Sequence, residues 1–383
     1  MIAASAVSRK RQQPRVRDQT YCKMNEPFEP RIEKAFTPPS RLYTDPQVLD
    51  GEKRSVFYRT WQLAGRTDQL PGPGHYATVD VCGESILLVK DREEKLAAFH
   101  NVCRHRAGPV ALGSGCRASF QCQYHGWTYG LDGRLLTTPE FEGVECFDKS
   151  LMGLVPVDLA VWEGLIFVRL ARDDRMPSLL DYLGDIPAAV GPMNIGAMSI
   201  AERRDYVIDC NWKVYVDNYL EGYHIPIVHP SLMRELDYNA YETVTGRYCS
   251  LQHAPMRPAR PGVERRYSYD DGNTQALYYW IFPNLMLNVY PDNFSTNLIV
   301  PLSYDKTLTI FEWYFLEAGS EETSKKVRGV VEFSDEIQQE DIGICEAVQR
   351  GLKSISYDRG RYSVTRENGV HHFHSLLYEF MSR

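Results

Sequence analysis

Hydrophobic and polar residues alternate over short runs in the first half of the chain. Three such runs, separated by Gly, Pro and Asp, are HYATVDV (75–81), SILLVK (85–90) and LAAFHNV (96–102). Alternation with a period of two is typical of strands that bury one face. The apolar stretch 153–171 contains Pro156, Asp158 and Glu163, which favours two strands over a membrane-spanning helix. The pattern therefore predicts a small all-β domain over residues 61–170.

The second half of the chain mixes strand and helix patterns. Apolar runs predict sheet strands within 276–290, 295–303 and 308–318. Apolar residues three and four apart predict a long helix over 323–354, and a shorter amphipathic helix over 48–58. These elements predict an α+β protein, and its 383 residues are enough for two domains.

The composition limits the classes of binding partner and the cellular compartment that we expect. The formal net charge of −7 gives no general attraction to nucleic acid or to anionic membranes. Nine cysteines at irregular spacings do not resemble a disulfide framework, so we expect a reducing, cytoplasmic setting. Residues 1–27 are basic and almost free of acidic residues. We expect a disordered tail there, with a transit peptide as the alternative.

Two Cys–His pairs stand close together in the predicted β domain. They are Cys103-x-His105 and, sixteen residues later, Cys122-x-x-His125. A zinc finger places two cysteines before two histidines, whereas here the order alternates. One thiolate and one imidazole from each loop suit a Rieske [2Fe–2S] cluster, in which two cysteines bind one iron and two histidines bind the other. The alternatives are a structural zinc site or no metal.

A second candidate site begins in the segment CNWKVYVDNYLEGYHIPIVHP. Its apolar positions recur at helical spacing, at Trp212, Val216, Tyr219 and Tyr223. Asp217, Glu221 and His224 follow one another at i, i+4 and i+7, so we expect them on a second face of the same helix. Pro226 is expected to end that helix, and His229 comes just after the break. Two histidines at a helix end can converge on one metal ion but need a third ligand.

The long predicted helix offers the third ligand. Its apolar stripe is Val330, Phe333, Ile337, Ile344 and Val348. Asp341 falls inside this stripe, and an aspartate on a buried face is costly unless it is paired or metal-bound. The neighbouring acids, among them Glu340, are expected to be solvated. His224, His229 and Asp341 would form the two-histidine, one-carboxylate triad of non-haem Fe(II) oxygenases, which leaves positions open for O2 and substrate. Each residue taken alone could instead be a helix cap or a hydrogen-bond acceptor.

From about residue 28 to its end, the chain resembles the α-subunits of Rieske non-haem iron oxygenases. The loops CRHRAG and CQYHGW carry the resemblance in the β domain. The segments VFYRTWQLAGRTDQL, FPNLMLNVYPDNFSTNLIVPL, EDIGICEAVQRGL and GVHHFHSLLYEF make the chain most similar to the choline monooxygenase branch of that family. The resemblance implies a Rieske domain and a helix-grip-like catalytic domain with a curved antiparallel sheet. The catalytic domain would comprise residues 171–383 together with an N-terminal helical part, 28–60.

The resemblance also implies roles and partners. It assigns the mononuclear iron to His224, His229 and Asp341. Glu221, three residues before the first histidine, would bridge the metal sites of adjacent subunits in a head-to-tail ring, usually a trimer. We take Asp217 and Asn218, close by, as further candidate catalytic residues. Because the chain has no Gly-rich dinucleotide motif, a separate flavin and iron–sulfur reductase is expected to deliver electrons from NAD(P)H.

The aromatic residues of the second half bear on the substrate. A quaternary ammonium requires an aromatic cage, for which the candidates are Tyr278, Trp280, Phe282 and Tyr290. Packing in the core is the alternative for all four. The sequence thus predicts a monooxygenase that hydroxylates or demethylates a choline- or betaine-like substrate. An aromatic-ring or aromatic-acid oxygenase remains a second hypothesis, and an electron-transfer protein with a degenerate iron site a third.

Overall fold

A computed structural model describes residues 27–255, 257, 275–290 and 292–383. The predicted basic tail lies outside the described residues except for its last position. The described chain forms two compact units. The first comprises 64–161 and 165–174, and the second comprises the described parts of 27–63, 162–164 and 175–383. No helix in the described ranges combines the length and apolarity needed to cross a bilayer.

The first unit is built from strands alone, with two single turns of 3-10 helix. Its strands are β1 (Gln62–Arg66), β2 (His75–Val81), β3 (Glu84–Lys90), β4 (Leu96–His100), β5 (Ser114–Cys116), β6 (Phe120–Gln121), β7 (Thr128–Tyr129), β8 (Leu135–Thr137), β9 (Pro156–Trp162) and β10 (Leu165–Arg169). Seven of them form a sheet in the order β1-β10-β9-β4-β3-β2-β5, and the other three form the sheet β6-β7-β8. The alternating runs became β2, β3 and β4, and the interrupted apolar stretch became β9 and β10, as the pattern predicted.

The core of the first unit encloses the sulfur ligands expected for a cluster. Cys103 and Cys122 are each 3% exposed. They pack with apolar side chains of the larger sheet, including Leu87 and Phe99, and with Trp127 and Tyr129 beside the second loop. Burial of two thiols among apolar side chains excludes water from the side of the loops that faces the core.

The second unit pairs a seven-stranded antiparallel sheet with helices. Its strands are β11 (Ser199–Ile208), β12 (Glu242–Thr245), β13 (Cys249–Pro255), β14 (Gln275–Ile281), β15 (Leu285–Tyr290), β16 (Asn293–Ser303) and β17 (Lys306–Phe315). Their order is β11-β17-β16-β15-β14-β13-β12. Its helices are α1 (Arg41–Thr44), α2 (Pro46–Glu52), α3 (Leu179–Leu183), α4 (Ile186–Val190), α5 (Trp212–Tyr219), α6 (Ile225–Val228), α7 (Pro230–Glu235), α8 (Glu321–Leu352) and α9 (Asn368–Met381). The predicted α+β fold is confirmed, with an all-β unit and a second unit that combines an antiparallel sheet with helices.

The long helix forms as predicted, but its buried face differs from the predicted stripe. Ser320 caps α8 by accepting a hydrogen bond from the Thr323 amide at 3.1 Å. Val330 and Phe333 are buried, whereas Ile344 and Val348 are 37% and 44% exposed. In the C-terminal half of α8, buried residues that include Gln338, Cys345 and Gln349 occupy the positions that face the core. Both glutamines are hydrogen-bonded there, so the polar residues that a hydrophobic pattern assigns to solvent face the core.

The helix that precedes the histidines is shorter than predicted. It ends at Tyr219, so Glu221 and His224 do not lie on one helical face with Asp217. The Glu221 carboxylate accepts hydrogen bonds from the amides of Tyr223 and His224. This local bonding competes with helical hydrogen bonds, and Gly222 weakens the helix further. Pro226 does not end the predicted helix but lies in the first turn of α6.

A buried ion pair fastens α5 to the N-terminal helices. The Lys213 ammonium lies 2.6 Å from the Glu52 carboxylate, and both side chains are 3% exposed. The Trp212 indole donates to the same carboxylate at 2.8 Å. The predicted helix over 48–58 is α2 followed by a π-helical turn over Lys53–Phe57. The N-terminal helical segment thus supports the helix that carries Asn218 toward the second site.

Candidate metal centres

The two Cys–His loops of the first unit share one backbone arrangement. In the first loop, the Cys103 amide donates to the Gly108 carbonyl at 2.8 Å, and the Ala107 amide donates to the Cys103 carbonyl at 3.0 Å. In the second loop, the Cys122 amide donates to the Trp127 carbonyl at 2.9 Å, and the Gly126 amide donates to the Cys122 carbonyl at 3.0 Å. Ala107 and Gly126 both have positive φ, of 60° and 74°. The loops are therefore two copies of one tight turn.

The four donors have the chemistry that a Rieske cluster requires. The thiols are buried, the His105 ring is half-buried and His125 is exposed. The imidazole centroids are 4.6 Å apart, and the Trp127 ring stacks on His105 at 4.9 Å. The buried Nδ1 of His105 has no hydrogen-bond partner among the described residues. Two thiols and two imidazoles that meet between matched loops, with one imidazole nitrogen unsatisfied, fit this cluster.

Protonation in the first site is set mainly by burial. Burial raises the pKa of the Cys122 thiol, and the neighbouring Cys103 adds to the effect. Burial also lowers the pKa of His105, with smaller contributions from His125 and Arg106. Neutral imidazole is the form that binds a metal. A thiol with a raised pKa gives up its proton when a metal binds.

The second site brings together two histidines and an aspartate from distant parts of the chain. The ligand atoms of His224, His229 and Asp341 all lie within 4.8 Å of one another. The His229 Nε2 atom is 3.1 Å from the Nε2 atom of His224 and 3.0 Å from the Asp341 Oδ1 atom. The His224 Nε2 atom is 3.7 Å from Asp341 Oδ1. Donors held at right angles, at roughly 2.1 Å from a metal, would lie roughly 3 Å apart. The three donors therefore fit one face of a coordination sphere.

Two further carboxylates orient the imidazoles. The Nδ1 atom of His224 lies 2.6 Å from Glu221, and that of His229 lies 2.6 Å from Glu340. A carboxylate only accepts hydrogen bonds, so each Nδ1 carries the proton and each Nε2 presents a lone pair. The two lone pairs and the Asp341 carboxylate then face one another, an arrangement that a cation stabilises.

The electrostatics of His229 agree with this description. Burial would lower its pKa, but hydrogen bonds and charge from Asp341 and Glu340 outweigh burial and raise the pKa. The imidazole therefore attracts a proton when no metal is bound, and a metal ion would displace that proton. Asn218 holds the Asp341 carboxylate in place by donating to its Oδ1 atom at 2.6 Å.

The triad lies in the wall of a cavity in the second unit. The cavity has a volume of about 140 Å³, and its lining includes Glu221 and Asn218 as well as the triad. An engineered cavity of roughly 150 Å³ holds a molecule the size of benzene. The volume therefore suits a small substrate rather than one with several rings.

The sequence-predicted cage residues separate into two groups. Tyr278 and Tyr290 line the cavity. Trp280 and Phe282 do not: both are fully buried, and their rings pack against Phe373 and Phe380 of α9 at 5.4 and 5.1 Å. Because α9 covers this end of the sheet, these two residues belong to the core.

Asp217 also lies away from the cavity lining. It accepts a hydrogen bond from the Tyr43 hydroxyl at 2.8 Å and lies 3.0 Å from His374. His374 in turn contacts the Tyr362 hydroxyl at 2.7 Å. Asp217 thus belongs to a buried polar network behind α5, and it lacks the direct access to the cavity that a catalytic residue needs.

Sequence reasoning missed Glu340 and the cavity residues Tyr241 and Gln252. Glu340 was expected in solvent because it lies off the apolar stripe predicted for the helix. Its position next to Asp341 was a usable signal, since ligating histidines regularly donate to a carboxylate. Tyr241 and Gln252 lie on a turn and on a strand far from every motif, so no local pattern could have found them.

Glu340 provides a test of the second site. Glu340→Gln removes the charge that orients His229, so we expect the affinity for a divalent metal to fall roughly 10- to 100-fold. Equilibrium dialysis against Fe(II), with metal analysis, measures this affinity. Glu332→Gln changes an exposed acid of the same helix and should leave the affinity unchanged. Equal metal affinity in both variants would show that Glu340 does not support the site.

Comparison with known proteins identifies the family. Residues 60–148 match the Rieske [2Fe-2S] domain, and residues 195–383 match the ring hydroxylating alpha subunit catalytic domain. The chain is 38% identical to the chloroplastic choline monooxygenase of Arabidopsis thaliana, over 92% of this chain and 85% of the relative. It is 33% identical to the carnitine monooxygenase oxygenase subunit of Escherichia coli (strain K12), over 92% of this chain and 96% of the relative.

A solved structure agrees with both sequence relatives. This is the structure of a quaternary ammonium Rieske monooxygenase. It superposes on the chain with a TM-score of 0.82 at 28% sequence identity, and the match covers 94% of this chain and all of that one. The chain is therefore an oxidoreductase of the Rieske non-haem iron oxygenase family, the terminal oxygenase type that carries a [2Fe–2S] cluster and a mononuclear iron and uses O2.

Proposed function

We propose that the chain is the oxygenase component of a monooxygenase that hydroxylates or demethylates a small quaternary ammonium compound. The observation that carries the proposal is a small, tyrosine-rich cavity with the two-histidine, one-aspartate triad in its wall. The relatives named above, which act on choline or carnitine, support the same class of substrate.

The cavity offers a cation an aromatic surface. Its aromatic lining is Tyr215, Tyr219, Tyr241, Tyr278, Tyr290, Phe311 and Phe333. Aromatic faces attract a methylated ammonium through cation–π contacts. The carboxylates of Glu221 and Asp341 add negative charge, and no Lys or Arg belongs to the described lining. These two charges would balance the proposed Fe(II), so an aromatic acid would add a negative charge with no cationic side chain of the described lining to pair with, which disfavours the aromatic-acid form of the second hypothesis.

The metal ligands follow from the donor sets. Cys103 and Cys122 would hold one iron of the cluster, and His105 and His125 the other. His224, His229 and Asp341 would hold the mononuclear iron. When bound, these groups supply single electrons and O2 activation, respectively. A complete triad at a substrate-sized cavity argues against a protein that only transfers electrons.

The protein side chains then direct the electrons. Burial of the two cysteines and exposure of His125 place the histidine side of the first site at the surface of its unit. Electrons from a separate reductase would enter and leave there. We infer a head-to-tail ring, usually a trimer in this family, in which His125 of one copy meets Glu221 of the next. Glu221 already contacts His224 Nδ1 at 2.6 Å, so it completes the route to the iron site.

The described cysteines indicate the compartment. We propose a cytoplasmic location, because the eight described cysteines are all free thiols.

Asn218 keeps the Asp341 carboxylate oriented, and the tyrosines exclude water from the bound methyl groups. These residues bind, orient and shield the substrate.

A substrate panel tests the proposed function. Iron-loaded protein, reduced chemically or by a reductase and given O2, is incubated with choline, carnitine, glycine betaine, proline betaine or an aromatic acid. We expect an oxygenated or demethylated product from at least one ammonium compound, detected by mass spectrometry. Product from the aromatic acids alone would refute the substrate class and leave the family assignment intact.

Glu221→Gln tests the electron route. At Fe(II) concentrations high enough to saturate the weakened site, we expect both metals to be bound, while transfer slows roughly 10- to 100-fold because the bridging carboxylate is lost. Stopped-flow absorbance follows reoxidation of the reduced cluster by O2 with substrate present. Glu332→Gln serves as the matched control. Reoxidation at the wild-type rate in Glu221→Gln would rule out the bridging role.

A further inference from the structure

One polar atom of the cavity is left without a partner. Gln252 of β13 is 1% exposed and lines the cavity. Its Oε1 atom accepts a hydrogen bond from the Tyr241 hydroxyl at 3.0 Å. Its Nε2 atom is buried and has no hydrogen-bond partner in the part of the chain that the structure describes. A buried amide donor is rarely left unpaired, so a ligand that accepts its hydrogen bond is indicated.

Two other buried amides in the cavity lining already have hydrogen-bond partners at both ends. Gln338 accepts from the Tyr215 hydroxyl and donates to Thr309 at 3.1 Å. Asn288 accepts from the Tyr219 hydroxyl at 2.8 Å and donates to Ser295 at 3.1 Å. These two amides stabilise the wall of the cavity. Gln252 differs from them because half of its hydrogen-bonding capacity is unused.

The sheet register places Gln252 next to the proposed cation site. Gln252 pairs directly with Tyr278 on β14, and Tyr278 pairs with Asn288 on β15. All three side chains line the cavity and so form one row across three strands. Neighbouring strands are roughly 5 Å apart. A cation against Tyr278 would therefore have the amide of Gln252 within reach of a short carbon arm.

Tyr241 orients the amide and is itself held in place. A Cβ atom on Gly222 would come within 2.7 Å of the Tyr241 ring, so the ring packs directly on the turn that carries Glu221 and His224. Because a tyrosine hydroxyl both donates and accepts, Tyr241 can pair with either end of the Gln252 amide. The end that faces the cavity is then a donor or an acceptor as the ligand requires.

The charge of the cavity selects among oxygen-bearing ligands. A hydroxyl can meet either end of the amide, whereas a carboxylate can meet only the NH2 end. The two carboxylates of the described lining, Glu221 and Asp341, would balance the two charges of the proposed Fe(II), and that lining has no Lys or Arg, so a buried carboxylate of the ligand would have no cationic side chain to pair with. A neutral hydroxyl can pair with either end of the amide and needs no cationic partner.

We propose that Gln252, oriented by Tyr241, recognises the hydroxyl of a short quaternary amino alcohol and thereby sets the specificity of this enzyme. The proposal rests on the proposed function, since it names the substrate within the quaternary ammonium class. Gln252 selects choline-like cations over betaines, and over ammonium compounds that carry an alkyl group in place of the hydroxyl.

The test compares choline with propyltrimethylammonium, which carries a methyl group in place of the hydroxyl. Dissociation constants are measured by calorimetry on the oxidised, metal-loaded protein, and kcat/KM on the reconstituted enzyme. We expect wild type to prefer choline roughly five- to tenfold, the worth of one hydrogen bond. Gln252→Met, similar in shape, should bring the ratio to about one by weakening choline alone. Gln339→Met, at an exposed position of α8, should keep the wild-type ratio.

The outcomes separate this proposal from the proposed function. Equal binding of choline and its alkyl analogue by wild type would mean that water alone satisfies Gln252, and would overturn the inference but not the substrate class. Tighter binding of glycine betaine than of choline would overturn it as well. Failure to bind any ammonium compound would refute the proposed function itself. If Gln252→Met does not fold, Tyr241→Phe should lower the same ratio, and an unchanged ratio there would overturn the role of the pair.

Discussion

The second site depends on one arrangement: two imidazoles whose Nδ1 atoms are each bound to a carboxylate and whose Nε2 atoms point at a third carboxylate. Glu221 orients His224, and Glu340 orients His229, each at 2.6 Å. Asp341 then faces both imidazoles. The rest of the second unit brings these groups together, since α8 supplies the consecutive acids and the break after α5 frees the turn that holds Glu221.

The two candidate centres differ in the surroundings of their donor atoms. The first unit buries sulfur donors in an apolar core and leaves an imidazole exposed, so electrons can cross its surface without water reaching the thiols. The second unit gathers its donors beside a cavity, where they would hold an iron from one side. Matched backbone turns build the first site from one short stretch, whereas the second requires a strand meander and a 32-residue helix.

Local patterns predicted what local interactions decide. Period-two alternation found β2 and β3, and the 3.6-residue period found α8, because burial of one face alone fixes those elements. The same reasoning extended α5 too far, since it could not register that the Glu221 side chain bonds the following amides. It also read Ile344 and Val348 as buried and Gln338 as solvated, because hydrogen bonds to distant partners compensate buried amides and leave no mark on the pattern.

Long-range placement explains the remaining differences at the site. Trp280 and Phe282 have the aromatic character of a cage, yet α9 covers their end of the sheet and takes them into the core. Tyr278, on the same strand, reaches the cavity instead. Gln252 enters the site only through its pairing with Tyr278, a register that no local sequence pattern specifies.

One chain is proposed to hold two separate iron centres on two separate donor sets. Iron content and the visible absorption of the cluster, measured together on Asp341→Ala and Cys122→Ser, test it most directly. We expect Asp341→Ala to lose about one iron of three and to keep the cluster spectrum, while Cys122→Ser loses the spectrum together with about two irons. Full iron content in Asp341→Ala, or loss of the cluster with it, would contradict the account.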